Sequence, residues 1–125
     1  MRRLLGLIAV LGALTLGAPV AHATAALQCG ELAFDQGTTF EASNYGAGEI
    51  TALRTNCAVA RQVARGLKSK GGLAYSAHGF ACKGTATSSE PGARKNWRCS
   101  RTVISGKRPH RHQIREIVTF YSLGA

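Results

Sequence analysis

Four cysteines constrain this chain more than any other feature. Cys29, Cys57, Cys82 and Cys99 are widely and unevenly spaced, with no C-x-x-C or H-x-x-x-H pair beside them. Zinc sites hold ligands in close pairs, so this spacing argues against a structural metal. The chain begins MRRLLGLIAVLGALTLGAPVAHA. Arg2 and Arg3 form a charged start, residues 4–16 an apolar run, and Ala21-His22-Ala23 a small-residue cleavage site. That is the pattern of a secretory signal peptide. Its apolar run is shorter than the roughly 18 residues of a spanning helix. Gln28 stands directly before Cys29, where a lipoprotein signal carries a small residue. Cleavage near Ala23 is therefore expected, giving a secreted or cell-envelope chain, residues 24–125, of about 100 residues and one domain. An even cysteine count in a short exported chain reads as two disulfides.

The clearest element is a helix in NCAVARQVARGLKSKGG, residues 56–72. At 100 degrees per residue, Cys57, Val59, Ala60, Val63, Ala64 and Leu67 fall within an arc of about 160 degrees. Arg61, Gln62, Arg65 and Lys68 take the other side, the usual wet face of such a helix. Thr55 or Asn56 is placed to cap it, and Gly71 to end it. Around it lie segments of strand character. Short strands are expected over residues 32–34, 39–42 and 50–53. Alternation puts Phe80 and Cys82 on one face of a strand over 75–83. A polar turn over 84–92 leads to a strand over 95–103, with Trp97, Cys99 and Val103 on one face. A turn over 106–109 precedes a last strand over 114–123. There Ile114, Val118 and Phe120 share one face, Ile117 and Tyr121 the other, and either face is apolar enough to be buried. The expected fold class is α+β: one amphipathic helix packed on a small antiparallel sheet of three to five strands, with two disulfides. Four cysteines allow three pairings. Cys29–Cys57 with Cys82–Cys99 is preferred, since the first ties the N-terminal arm to the helix and the second ties a hairpin.

ITALRTNCAVARQVARG, GFACKG, WRCSR and the terminal VTFYS resemble a diffuse group of small exported bacterial proteins. There a cysteine opens a helix in an x-C-x-x-A-x-x-V pattern, and Gly-aromatic-x-Cys precedes a last Cys-bearing strand. The likeness spans about residues 48–121. It implies export, disulfides and a small α+β domain, and it carries over no catalytic residue. This chain departs from it by inserting GKRPHRHQIRE between the last cysteine and the last strand.

Charge bears most on function. The formal charge is +10, two of it from Arg2 and Arg3. Residues 24–50 hold Glu31, Asp35, Glu41 and Glu49 and no lysine or arginine. Residues 51–125 hold all the remaining cations and only Glu90 and Glu116 as acids. A body of that sign attracts an acidic polymer or an acidic protein surface. Arg94, Lys95, Arg98 and Arg101 surround Trp97; Lys107, Arg108, Arg111 and Arg115 follow. Cations beside an aromatic suit phosphate neutralisation and stacking, although Trp97 shares a face with Cys99 and reads first as core. The same charge also serves solubility, with the acidic arm pairing against the basic body.

Catalysis has weaker support. A ribonuclease needs a general base, a general acid and a cation, and His110, His112, Arg115 and Glu116 supply those types. On one strand, however, His112 and Glu116 lie about 13 Å apart, too far for one phosphate. A hydrolytic triad is poorer still: Asp35 is the sole aspartate, His78 has no diagnostic neighbour, and no G-x-S-x-G occurs. His110 and His112 lack a third metal ligand in sequence. No cofactor is implied. The leading expectation is a non-catalytic module that binds an acidic polymer, with RPHRHQIREI as an exposed basic turn and strand start. Imidazoles in such a loop make its charge pH-dependent. An inhibitor or adaptor of another exocellular protein is the second expectation, with residues 85–94 as an insertion loop, and a ribonuclease-like hydrolase the third.

Overall fold

The computed structural model describes residues 25–124; the leader expected over residues 1–23 lies outside them. The elements in chain order are β1 (Leu27–Gln28), β2 (Leu32–Ala33), α1 (Phe40–Ser43), β3 (Gly46–Leu53), α2 (Cys57–Arg65), β4 (Ala74–Ala77), β5 (Phe80–Ala86), β6 (Lys95–Ser105) and β7 (His112–Leu123). The strands form one antiparallel sheet in the order β1-β3-β7-β6-β5-β4, with β2 also on β3. The bridges are Cys29–Cys57 and Cys82–Cys99. Among the described residues, no helix is long and apolar enough to cross a membrane.

The sheet therefore has seven strands rather than three to five, and a second, short helix joins the expected one. Two local causes account for most of the difference. The segment over 75–83 is not one strand but two, because His78 and Gly79 both take positive φ (52° and 79°) and turn the chain back. Successive positive φ is the signature of a type I′ hairpin turn. Residues 39–42, expected as a strand, open a helical turn instead. Thr39 Oγ1 accepts from the Ala42 amide at 3.2 Å, and Asn44 closes the turn at φ 50°. Both are capping positions that outweigh the local alternation.

α2 starts where Asn56 Oδ1 accepts from the Val59 amide at 2.9 Å. It ends at Gly66 rather than near Gly71. A Cβ on Gly66 would sit 2.7 Å from the Ala77 side chain, so β4 crowds the helix end and requires glycine there. Tyr75 on the same strand donates its hydroxyl to the Val63 carbonyl at 2.6 Å. Ala60, Val63, Ala64 and Leu67 are buried against the sheet.

Pleat alternation decides the buried side of β6 and β7. Trp97 and Cys99 face inward with Val118, Phe120 and Ser122. Trp97 is the centre of the core. It stacks on Phe120 with centroids 6.2 Å apart and meets Tyr75 edge-on at 5.2 Å. Its Nε1 donates to Ser122 Oγ at 2.8 Å, so Ser122 is both buried and satisfied. β6 and β7 run on past their neighbours: β5 stops pairing at Ser100 and β3 at Ile117. The far end, Arg101–Ser105 with His112–Glu116, is a two-stranded arm tipped by residues 106–111.

Burial pushes the Tyr75 hydroxyl well above the ordinary tyrosine value of 10. Its folded pKa is raised, so the proton stays on in the folded state after an unfolded tyrosine would have lost it. The resulting stability is complete below about pH 10 and falls as pH climbs from there towards the folded value. Tyr75→Phe is expected to flatten the alkaline limb of the stability–pH curve and to cost about 1 kcal/mol at neutral pH. Urea unfolding of both proteins from neutral pH to about pH 11 checks this; equal alkaline slopes would assign the loss to other groups.

Candidate anion-binding surface

Side chains that alternate away from Trp97 and Cys99 lie on the face of the sheet not covered by α2. The register puts Lys83 directly opposite Arg98, with Thr119 and then Thr51 completing the row across β5, β6, β7 and β3. Four strand positions towards the arm, Arg115 lies opposite Thr102, beyond a row formed by Ser100 and Ile117. Arg115 Nη2 donates to Ser100 Oγ at 3.2 Å, and Arg54 Nη1 donates to the Arg115 carbonyl at 3.1 Å. At the opposite end Arg94 lies over the Tyr121 ring, 3.9 Å from its centroid. Tyr121 itself covers Gly48, whose absent Cβ leaves the space for the ring.

Among the described residues the ion pairs are Arg94 with Glu49 at 4.0 Å and Arg101 with Glu116. Among the described residues, Lys83, Arg98, Arg115 and Arg54 thus have no carboxylate within 4.0 Å. Like charges directly opposite on paired strands repel, so the Lys83–Arg98 pair opposes folding. An anion seated between the two would relieve that repulsion.

The structure sorts the cations picked out by the sequence into three groups. Arg98 and Arg115 lie on the open face, and Arg94 borders it. Lys107, Arg108 and Arg111 sit in the exposed tip with His110. Lys95 and Arg101 point to the other side. Lys95 Nζ reaches the Gly72 carbonyl at 3.4 Å. Arg101 is held within the fold by Glu116, by the His78 carbonyl at 2.9 Å, and by the Phe80 ring at 4.6 Å. Trp97 is only 3% exposed and has no stacking face to offer. The sequence does not mark Lys83 and Arg54, since only the strand register brings them beside Arg98 and Arg115.

The four residues with nuclease-type chemistry do not converge. Glu116 faces inward and pairs with Arg101, whereas Arg115 projects from the opposite face of the strand. His112 begins β7 opposite Ser105, and His110 lies in the tip, where its amide donates to the Lys107 carbonyl at 2.7 Å. Among the described residues no group of three or more His, Cys, Asp or Glu is arranged to hold a metal ion. In comparisons with protein-family models, curated proteins and solved structures, nothing matches the chain.

Proposed function

We propose that this protein is a non-catalytic module that binds an acidic polymer across the open face of its sheet. The observation that carries this reading is the juxtaposition of Lys83 with Arg98, and of Arg115 with Arg54, with no carboxylate among the described residues paired to any of them. A solubilising charge gains nothing from being placed opposite its like. An open sheet face with cations spaced along its strands suits an extended, repeating anion better than a compact ligand. Arg94 stands one residue before β6 and four before Arg98, and at about 3.3 Å per residue of extended chain these stations are about 13 Å apart. A chain of phosphates or carboxylates lying along β6 meets them in turn. Export and the tip cations Lys107, Arg108 and Arg111 fit an extracellular or cell-envelope polymer as partner.

The test uses oxidised protein with fluorescently labelled long-chain polyphosphate and, in parallel, single-stranded RNA, followed by anisotropy over a salt series. Polyelectrolyte binding gives a steep linear fall of log K with log salt. Lys83→Ala/Arg98→Ala/Arg115→Ala is expected to weaken binding about a hundredfold at low salt. It should also make the salt slope shallower by roughly two to three. Equal loss from Lys95→Ala/Lys107→Ala would move the site off the open face. RNA cleavage that disappears in His112→Ala or Glu116→Ala would replace the reading with a nuclease. Salt-insensitive binding to one acidic protein would replace it with an inhibitor or adaptor.

A further inference from the structure

The open face uses none of the cations of α2 and the turn that follows it. α2 presents Arg61 and Arg65 four residues apart, and Lys68 follows in the turn that prolongs the helix. Residues at that spacing form one stripe on a helix face. α2 carries no acidic residue, so no carboxylate on the helix itself offsets the repulsion between these like charges. The stripe is not loose on the surface. It forms one wall of a groove of about 520 Å³, whose other wall is residues 31–40, from β2 through the following loop to the start of α1. Arg61 is fixed there, Nη1 donating to the carbonyls of Cys29 at 3.0 Å and Glu31 at 2.9 Å. Those partners are neutral, so the guanidinium keeps its charge. Glu31 and Asp35 also line the groove, yet neither forms an ion pair with Arg61, Arg65 or Lys68. Leu32, Phe34 and Phe40, all buried, back the loop wall.

The helix wall of the groove and the open face lie on opposite sides of the sheet, and only Phe40 of the loop wall reaches the open-face residue Tyr121, edge-on at 5.9 Å. Ala60, Val63 and Ala64 of α2 pack into the core that also holds Trp97, Cys99 and Val118. Arg98 and Thr119 alternate away from that core. A rigid body with separate cationic surfaces on its two sides cannot apply both to one short stretch of chain.

We infer that the groove along Arg61, Arg65 and Lys68 is a second anion-binding site, and that one molecule bridges two chains of an acidic polymer. The inference rests on the proposed binding of such a polymer at the open face. Its occupant is another stretch of that polymer, running along the helix wall with its anionic groups against Arg65 and Lys68 and the fixed guanidinium of Arg61. Two weak sites joined in one body hold a polymer network far more tightly than either site alone.

Short-chain polyphosphate, too short to wrap from one side to the other, is titrated calorimetrically into the oxidised protein. Two chains per protein are expected for the wild type and one for Arg65→Ala/Lys68→Ala. The double variant should keep its affinity at the remaining site within about twofold, since both changed residues are exposed and remote from the sheet face. Lys107→Ala/Arg108→Ala removes the same charge from the tip and should keep two chains. With long-chain polyphosphate, light scattering should rise for the wild type and the tip variant and stay low for the groove variant. One short chain per wild-type protein, or two in the groove variant, would overturn the second site while leaving the open-face reading intact. No binding at all would overturn both. Thermal unfolding of each variant separates loss of a site from loss of the fold.

Discussion

Trp97→Ala is expected to lower stability by about 4 kcal/mol, the largest loss from any single side chain in this protein. Three contributions combine at this position. The indole is 3% exposed and fills the space between Tyr75 and Phe120. It also lies over Gly84, its cross-strand partner, where a Cβ would come within 3.0 Å of the ring. An alanine at 97 therefore leaves a cavity that Gly84 has no side chain to fill. Finally, Ser122 Oγ, fully buried, loses its indole partner. Leaving such a group unpaired costs about 1–3 kcal/mol. Trp97→Phe should recover part of the packing and none of the hydrogen bond, falling between the two. Domains of this size hold about 5–15 kcal/mol in all, so the alanine variant should approach the unfolding threshold near 37 °C. Trp97 is the sole tryptophan, so unfolding must be followed by circular dichroism in denaturant. A loss below about 2 kcal/mol would mean that the neighbours close over the gap.

The same residue shows what the sequence made legible. Trp97 and Cys99 alternate with polar residues, and that period is enough to identify the inner face of β6. α2 is legible for the same kind of reason: its apolar positions repeat at helical spacing beside an asparagine cap. What the sequence hid depends on register or on backbone geometry. His78-Gly79 forms a tight turn without the asparagine or aspartate that usually marks one, so two strands read as one. Thr39 and Asn44 cap a four-residue helix too short to show a period. β7 is apolar on both faces, and its buried side follows only from pairing Val118 with Cys99. The candidate surface was partly legible, as a density of positive charge. Its composition was not, because Lys83 and Arg54 reach Arg98 and Arg115 only through strand pairing. Arg101 shows the reverse error. In sequence it resembles its basic neighbours, but the register places it opposite Glu116, and the pair is internal.

Removing the Cys29–Cys57 bridge should cost about 3–4 kcal/mol, and most of that loss should fall on one side of the molecule. The bridge closes a separation of 28 residues. By chain entropy alone it stabilises only slightly more than Cys82–Cys99, which closes 17. The two differ in what else holds the linked segments. Cys82 and Cys99 sit directly opposite each other on β5 and β6, which are paired from Ala81 to Ala86. Cys29 belongs to an arm tied by far shorter ladders: two positions of β1 and two of β2 on β3, with the Cys29 amide donating to the Ile50 carbonyl at 2.7 Å and the Ile50 amide to the Gly30 carbonyl at 2.9 Å. Leu32 and Phe34 add apolar burial, but no long ladder backs them. In Cys29→Ala/Cys57→Ala the arm should therefore open without global unfolding. Hydrogen exchange at the Cys29 and Ile50 positions should accelerate by roughly a hundredfold or more, while the amides of β6 and β7 stay near the global limit. The arm is also the loop wall of the groove and supplies the carbonyls that fix Arg61. Short-chain polyphosphate should thus drop from two chains to one per molecule in this variant, with the affinity of the sheet face kept. A variant that lost both sites together would show that the arm and the sheet unfold as one unit, and the bridge would then stabilise the whole fold rather than the groove.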